Sequence, residues 1–409
     1  MVARYFTVEE NDGRGKMKLG IGFLVLGYVL SQFYRAFLAV LSPVLSADLG
    51  AGPDDLALSS GLWFLSFALM QLPVGAALDT IGPRRTTAWL MGVAGGAGAV
   101  VFALAQAPWH LHLAMVLIGA GWAPVLMGAY YIFGRVYSAR VFATLAGLTI
   151  GGGTLGNIAG AWPLAWAAET FGWRETVMAL AVLTVLTGLA LWRFVQDPPA
   201  VERGANESKG SILDVLRIPG VWLILPLLVV NYAPAAGLRG LWVGPYYADV
   251  YGADSITIGY VTLIMAIAMV AGAVGYGPLD RIFGTRKGVI LVGNTLAALC
   301  LLALWWMPAP GFWPSAFMFS AIGVLGLSFP LLMAHGRSFF PSHLLGRGVT
   351  LLNMFSIGGA GVLQVLSRRV YEAADPVPVA TPYGAIFLFF GVLLLAGCAI
   401  YLFSQDRTD

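Results

Sequence analysis

The chain has 409 residues, 59% of them hydrophobic and 11% charged, with a formal net charge of +3. Soluble domains carry roughly 25% charged residues, so this chain could not cover its surface in water. The small net charge gives no reason to expect a nucleic-acid partner, and there is no GxGxxG after a strand, no GxxxxGK(S/T), no HExxH and no GxSxG.

Cys300 and Cys398 lie in apolar stretches, which supports neither a disulfide framework nor a metal site. No cofactor is expected, and no enzyme activity. The 52 glycines and 22 prolines sit inside apolar runs, where membrane helices tolerate both.

A helix needs about 20 apolar residues to cross a ~30 Å hydrocarbon core. Twelve runs qualify: 19–47, 56–78, 86–106, 110–133, 141–166, 173–195, 219–248, 255–278, 288–307, 311–335, 347–371 and 381–404. The first is too long for a signal-peptide core and should remain in the mature protein. With the N-terminus in the cytoplasm, 18 of the 23 Lys and Arg fall on the cytoplasmic side and three outside. That bias sets the orientation and supports an even number of spans, with both termini cytoplasmic.

The longest polar stretch, Gln196 to Arg217, falls at the middle of the chain and reads as a linker. Internal similarity agrees. Gly75, Asp79, Gly82, Arg84 and Arg85 recur as Gly277, Asp280, Gly284, Arg286 and Lys287, and Gly134-Arg135 recurs as Gly336-Arg337, about 202 residues on. Repeated halves with a solute site between them are how many secondary transporters are built.

The segment Gly75…Asp79…Gly82-Pro83-Arg84-Arg85 resembles the loop motif of the major facilitator superfamily (MFS), and Asp280…Gly284…Arg286-Lys287 resembles its second copy. The resemblance covers span count, linker and repeat. It implies a charge network that favours one side of an alternating-access cycle. Asp79, Arg84, Arg85, Asp280 and Arg286, with Arg135 and Arg337, are the gating candidates. Topogenic charge alone is the alternative for the basic residues.

Two charges lie inside spans, where an Arg costs several kcal/mol unless it meets water, an anion or a partner. Arg35 is in the first span, and Tyr28, Gln32 and Arg35 are spaced to share one helical face. Arg239 is in the seventh, where Tyr232, Arg239 and Tyr246 are spaced by seven. The two Arg are 204 residues apart, close to the repeat offset, so they are expected to face each other. None of the 20 acids lies clearly within a span, and no His reaches the midplane. Fixed positive charge without counter-charge points to an anion, which guanidinium binds through a two-pronged fork. Snorkelling or pairing with backbone carbonyls is the structural alternative.

The pair resembles that of the organophosphate/phosphate exchangers of the superfamily, which carry an Arg on span one and another on span seven. Anion/cation symporters also have a span-one Arg, usually preceded by Asp; here Tyr34 takes that place. Where they have an acid in span four, this chain reads Gly121-Trp122-Ala123-Pro124, which weakens the case for carboxylate-mediated proton coupling. Gly156-Asn157 stands where drug/proton exporters usually have Gly-Pro, which speaks mildly against drug export. Trp63, Gln71, Trp122, Tyr130, Asn157, Trp242, Asn353 and Gln364 are further candidates to line the cavity, with interhelical packing as the alternative for each.

The expectation is an all-α integral membrane protein of 12 transmembrane helices in two pseudo-symmetric six-helix bundles, the MFS fold. Residues 1–195 and 219–409 form the bundles, and 196–218 the cytoplasmic linker. It is read as a monomeric secondary transporter, antiporter or symporter, of a small organic or phosphorylated anion. Its setting is the lipid bilayer, the inner membrane if the source is bacterial. Proton-coupled symport of a carboxylate, short peptide or zwitterion, and a non-transporting scaffold or sensor, stay open.

Overall fold

The computed structural model describes residues 19–137, 139–198, 212–341 and 344–407. Most of the expected linker, 199–211, lies outside the described residues. Every regular element among them is helical. Ten helices are long and apolar enough to cross a bilayer, and an eleventh span is the pair Leu19–Phe33 and Phe37–Leu49, bent by 49°. The remaining expected run, 141–166, folds as Ala139–Ala159 and Trp162–Phe171. The chain is an all-helical membrane protein with the architecture of two helical bundles.

Prolines explain where many spans begin. Pro53, Pro83, Pro108, Pro219 and Pro382 each occupy one of the first two helical positions. An N–H there would have no intrahelical acceptor, so its loss costs nothing. Glycines explain where others end, and they carry the repeat. Gly50 and Gly252 close spans one and seven at φ 65° and 64°, and Gly82 and Gly284 turn the loops after spans two and eight at φ 98° and 64°. Each pair is 202 residues apart, and only glycine takes these left-handed turns without strain.

Asp54 at the start of the second span pairs with Arg368 near the end of the eleventh. These positions therefore share one end of the molecule, the far end. Leu19 and Arg407, the outermost described residues, emerge at the other, the terminal end. Trp109, Trp305, Trp306 and Trp313 are exposed near the far end, and Trp89, Trp192 and Trp222 near the terminal end. This is the double belt that indole rings form at the two membrane–water interfaces.

Contacts between the first six and the last six spans run through small residues. A Cβ at Gly61 would lie 3.0 Å from Gly361 O, and one at Gly361 only 2.9 Å from Leu65 N, so spans two and eleven touch backbone to backbone. Close approach of this kind is how helices gain packing energy in lipid.

Candidate functional site

The first span breaks at Tyr34–Ala36, between Leu19–Phe33 and Phe37–Leu49. Backbones from two other spans press on it there. A side chain at Gly156 would collide with Val29 O, one at Gly244 with Ala39 O, and a Cβ at Gly240 would stand 2.8 Å from Arg35 O. Span one is thus gripped between spans five and seven. Arg35 projects from the break, half-buried, its guanidinium carbon 5.1 Å from the Trp63 ring centre and 4.8 Å from that of Phe67. Those faces offset part of its charge. Its Nε is buried without a hydrogen-bond partner.

Arg239 lies in a π-helical turn, Leu238–Trp242, inside the seventh span. Such turns insert one extra residue and redirect side chains. Arg239 is only 5% exposed. Its Nη2 donates to Asn157 Oδ1 on span five at 2.7 Å, while Nε and Nη1 have no partner. Nη2 carries two protons and Asn157 takes one. Whichever it takes, one complete two-proton edge of the planar fork stays open.

The two guanidiniums are near enough to repel each other, and Tyr232 is within electrostatic reach of Arg239. Tyr28 is in reach of Arg35, Tyr232 and Gln32, and Tyr130 is in reach of Tyr28. Tyr28 and Gln32 pack against Gly153. Seven expected residues, Tyr28, Gln32, Arg35, Tyr130, Asn157, Tyr232 and Arg239, thus form one cluster. Neither Arg has an ion-pair partner among the described residues.

Trp242, Tyr246 and Trp122 have other neighbours. Trp242 is buried, donates to Ser367 Oγ at 3.0 Å, and packs tilted against Tyr371 and edge-on against Tyr383. Tyr246 is fully buried, donates to Pro308 O at 2.8 Å and packs edge-on against Tyr247, Phe319 and Phe387. Trp242 ends the π turn, and the turn separates Tyr246 from the regular helix bearing Tyr232, so a seven-residue spacing across it no longer keeps one face. Trp122 is buried beside Tyr34, ring centres 5.4 Å apart. Asn353 is half-buried on span eleven.

Phe67 was not among the candidates, although Trp63, Phe67 and Gln71 recur every fourth residue on one face of span two. Also absent was a buried network in which Asn231 donates to Asn294 at 2.6 Å and to Ser328 at 2.9 Å, tying spans seven, nine and ten. Asparagines in apolar runs were its signal.

At the terminal end, the Asp79 side chain lies outside the described residues. The Arg84 backbone N–H donates to Asp197 Oδ1 at 2.8 Å, and its side chain reaches Asp197 at 3.9 Å; Arg85 is exposed. Asp280 takes two bonds from Arg286, at 3.1 and 3.0 Å. Arg135 covers the Tyr131 ring at 4.1 Å, and Arg337 is exposed at the end of its helix.

Sequence reasoning missed a mirrored device here. Asp406 accepts from the Lys287 N–H at 2.9 Å and from Thr285 Oγ1, as Asp197 accepts from Arg84. Each acid follows the last span of its set of six and caps the start of the third.

At the far end, Arg368 joins Asp54 at 3.2 Å and Glu372 at 2.8 Å. His112 sits between Ser59 at 2.8 Å and Asp55 at 3.5 Å. Trp162 of the first set stacks on Tyr260 of the second.

The chain belongs to the Major Facilitator Superfamily, whose family model matches residues 24–242 and again 230–409. It is a multi-pass membrane transporter, not an enzyme. It is 25% identical over 334 residues to the membrane sensor protein UhpC of Salmonella typhimurium, covering 73% of this chain and 72% of that protein. To the sialic acid transporter NanX of Escherichia coli it is 22% identical over 354 residues, covering 82% of each. The crystal structure of a bacterial homolog to the human lysosomal transporter Spinster matches with a TM-score of 0.73 at 18% identity, over 94% of this chain and 96% of that one.

Proposed function

We propose that this carrier moves a small organic anion, carboxylate or phosphorylated, by alternating access, clamping it between Arg35 and Arg239. One observation carries the reading. Four unsatisfied buried donors belong to the pair and its ring neighbour: Arg35 Nε, Arg239 Nε and Nη1, and the indole nitrogen of Trp63. Buried polar groups are rarely left unpaired, and an anion supplies the acceptors that these donors need. NanX supports a carboxylate, since sialic acids carry one. Tyr28, Gln32, Tyr130, Asn157 and Tyr232 complete the site.

The remaining assignments follow. Residues 1–195 and 219–409 are the moving bodies, 196–218 joins them, and the terminal end faces the cytoplasm. Asp79, Arg84, Arg85, Asp280, Arg286, Arg135 and Arg337 set the balance between inward and outward states. The carrier works as a monomer.

A thermal-shift screen of the purified protein tests this. A ligand that binds only the folded state raises stability once its concentration exceeds its dissociation constant. Carboxylates or phosphate esters should raise the melting temperature, and their uncharged amide or alcohol analogues should not. A shift from neutral sugars or organic cations alone would overturn the proposal.

The name of UhpC favours a second reading, a sensor that binds the same anion without moving it. Reconstituted vesicles separate the two, because a sensor binds the anion but accumulates none.

A further inference from the structure

A groove of about 390 Å³ runs along the outside of the first six spans. Phe33 and Leu164, both buried, form its floor with Ala159 and Leu180; Phe171 and Leu183, both exposed, form its rim. The lining is apolar except at one end, where Glu175 and Thr176 stand in the first turn of helix Trp173–Phe194. Leu183 is eight residues further along, about 12 Å at 1.5 Å per residue. The groove therefore reaches through most of one leaflet, whose hydrocarbon is about 15 Å deep. Exposed Val182, Leu186 and Leu189 on the same helix mark this surface as lipid-facing.

Charge selects the occupant. Glu175 belongs to no ion pair among the described residues, and Glu169 is exposed on the helix that supplies Phe171. The neighbouring cation is committed elsewhere: Arg174 donates to Asp48 at 2.8 Å and to Ala105 O at 3.0 Å, and lies over the Trp173 ring. The mouth is negative and the groove is apolar.

We propose that this groove holds one acyl chain of a bilayer phospholipid whose headgroup bears an ammonium, paired with Glu175. The position gives the lipid a role. Phe33 adjoins the break in span one and Ala159 the break after Asn157 in span five. The chain fills the outer side of both breaks, whose inner sides present Arg35 and Asn157. This holds whatever the solute is.

Native mass spectrometry of the full chain, equilibrated with phosphatidylethanolamine or phosphatidylglycerol of identical chains, tests it. Wild type should retain the ethanolamine lipid about threefold better, the scale of one exposed ion pair. Glu175→Gln should make retention of the two equal. Ala179→Trp, which fills the groove, should lower retention by one lipid of either kind. Glu175→Gln leaves packing intact, so it decides the matter even if the Trp variant folds poorly. Equal retention by wild type, or an ethanolamine preference that survives Glu175→Gln, would mean annular lipid only and overturn the proposal.

Discussion

Arg239 Nη2 donates to Asn157 Oδ1 at 2.7 Å, from span seven to span five, and so across the division between the first and last six spans. The most buried charge of the site is thereby held by the opposite set of helices. Any ligand that takes Arg239 acts on a bond that joins the two.

Substitutions at Asn157 should separate positioning from charge. Asn157→Ala removes one acceptor and should weaken anion binding modestly, because the fork loses its anchor but keeps its charge. Asn157→Asp places a carboxylate where the solute's would act. It should raise the melting temperature without ligand and weaken binding roughly tenfold to a hundredfold, the scale of a charge-assisted bond. Isothermal titration of both variants checks this; unchanged affinity in the Asp variant would remove Arg239 from the site.

Asp54 and Arg368 link the two sets at the far end at 3.2 Å. If that tie holds the far side closed, Asp54→Arg and Arg368→Asp alone should each slow solute exchange several-fold, and the double swap should recover most of the rate. Arg368 also contacts Glu372, so recovery will be incomplete. A double swap no better than the singles would show that the ion pair does not govern closure.

Asp406 lies outside the spans and offers a pH test. Burial pushes its carboxyl up, but the Thr285 hydroxyl and the Lys287 N–H more than offset this, and its pKa is lowered. A lowered folded pKa gives stability that is present above the unfolded value and lost as pH falls through the folded one. Asp406→Asn should therefore lower the melting temperature near neutral pH, and its deficit should shrink below about pH 4, the ordinary carboxylate range. A deficit constant with pH would mean that the carboxylate charge is not what matters.

Much of the architecture was legible because lipid makes the code simple: long apolar runs, proline starts, glycine stops and a 202-residue echo. The Tyr28, Gln32, Arg35 cluster was legible too, since its spacing falls on or beside a regular helix. Tyr246 was not. It lies beyond the π turn at Leu238–Trp242, which nothing local announces. The break at Tyr34–Ala36 has no proline or glycine of its own; Gly156, Gly240 and Gly244 on other helices press upon it. Asp197 and Asp406 could have been found, because each follows a glutamine just past the last span of its half.

The central claim is that Arg35 and Arg239 hold one anion. The most direct test is the melting temperature of Arg35→Ala and Arg239→Ala, with and without a ligand identified on wild type, alongside the Lys variants. Each Ala variant should lose a contact worth about 1.5–3 kcal/mol, roughly tenfold to a hundredfold in affinity. The Lys variants should also be impaired, because the planar fork is gone. Without ligand, the Ala proteins should melt no lower than wild type, since two like charges with open donors have been relieved. Ala variants that melt lower without ligand yet bind it with wild-type affinity would contradict the account.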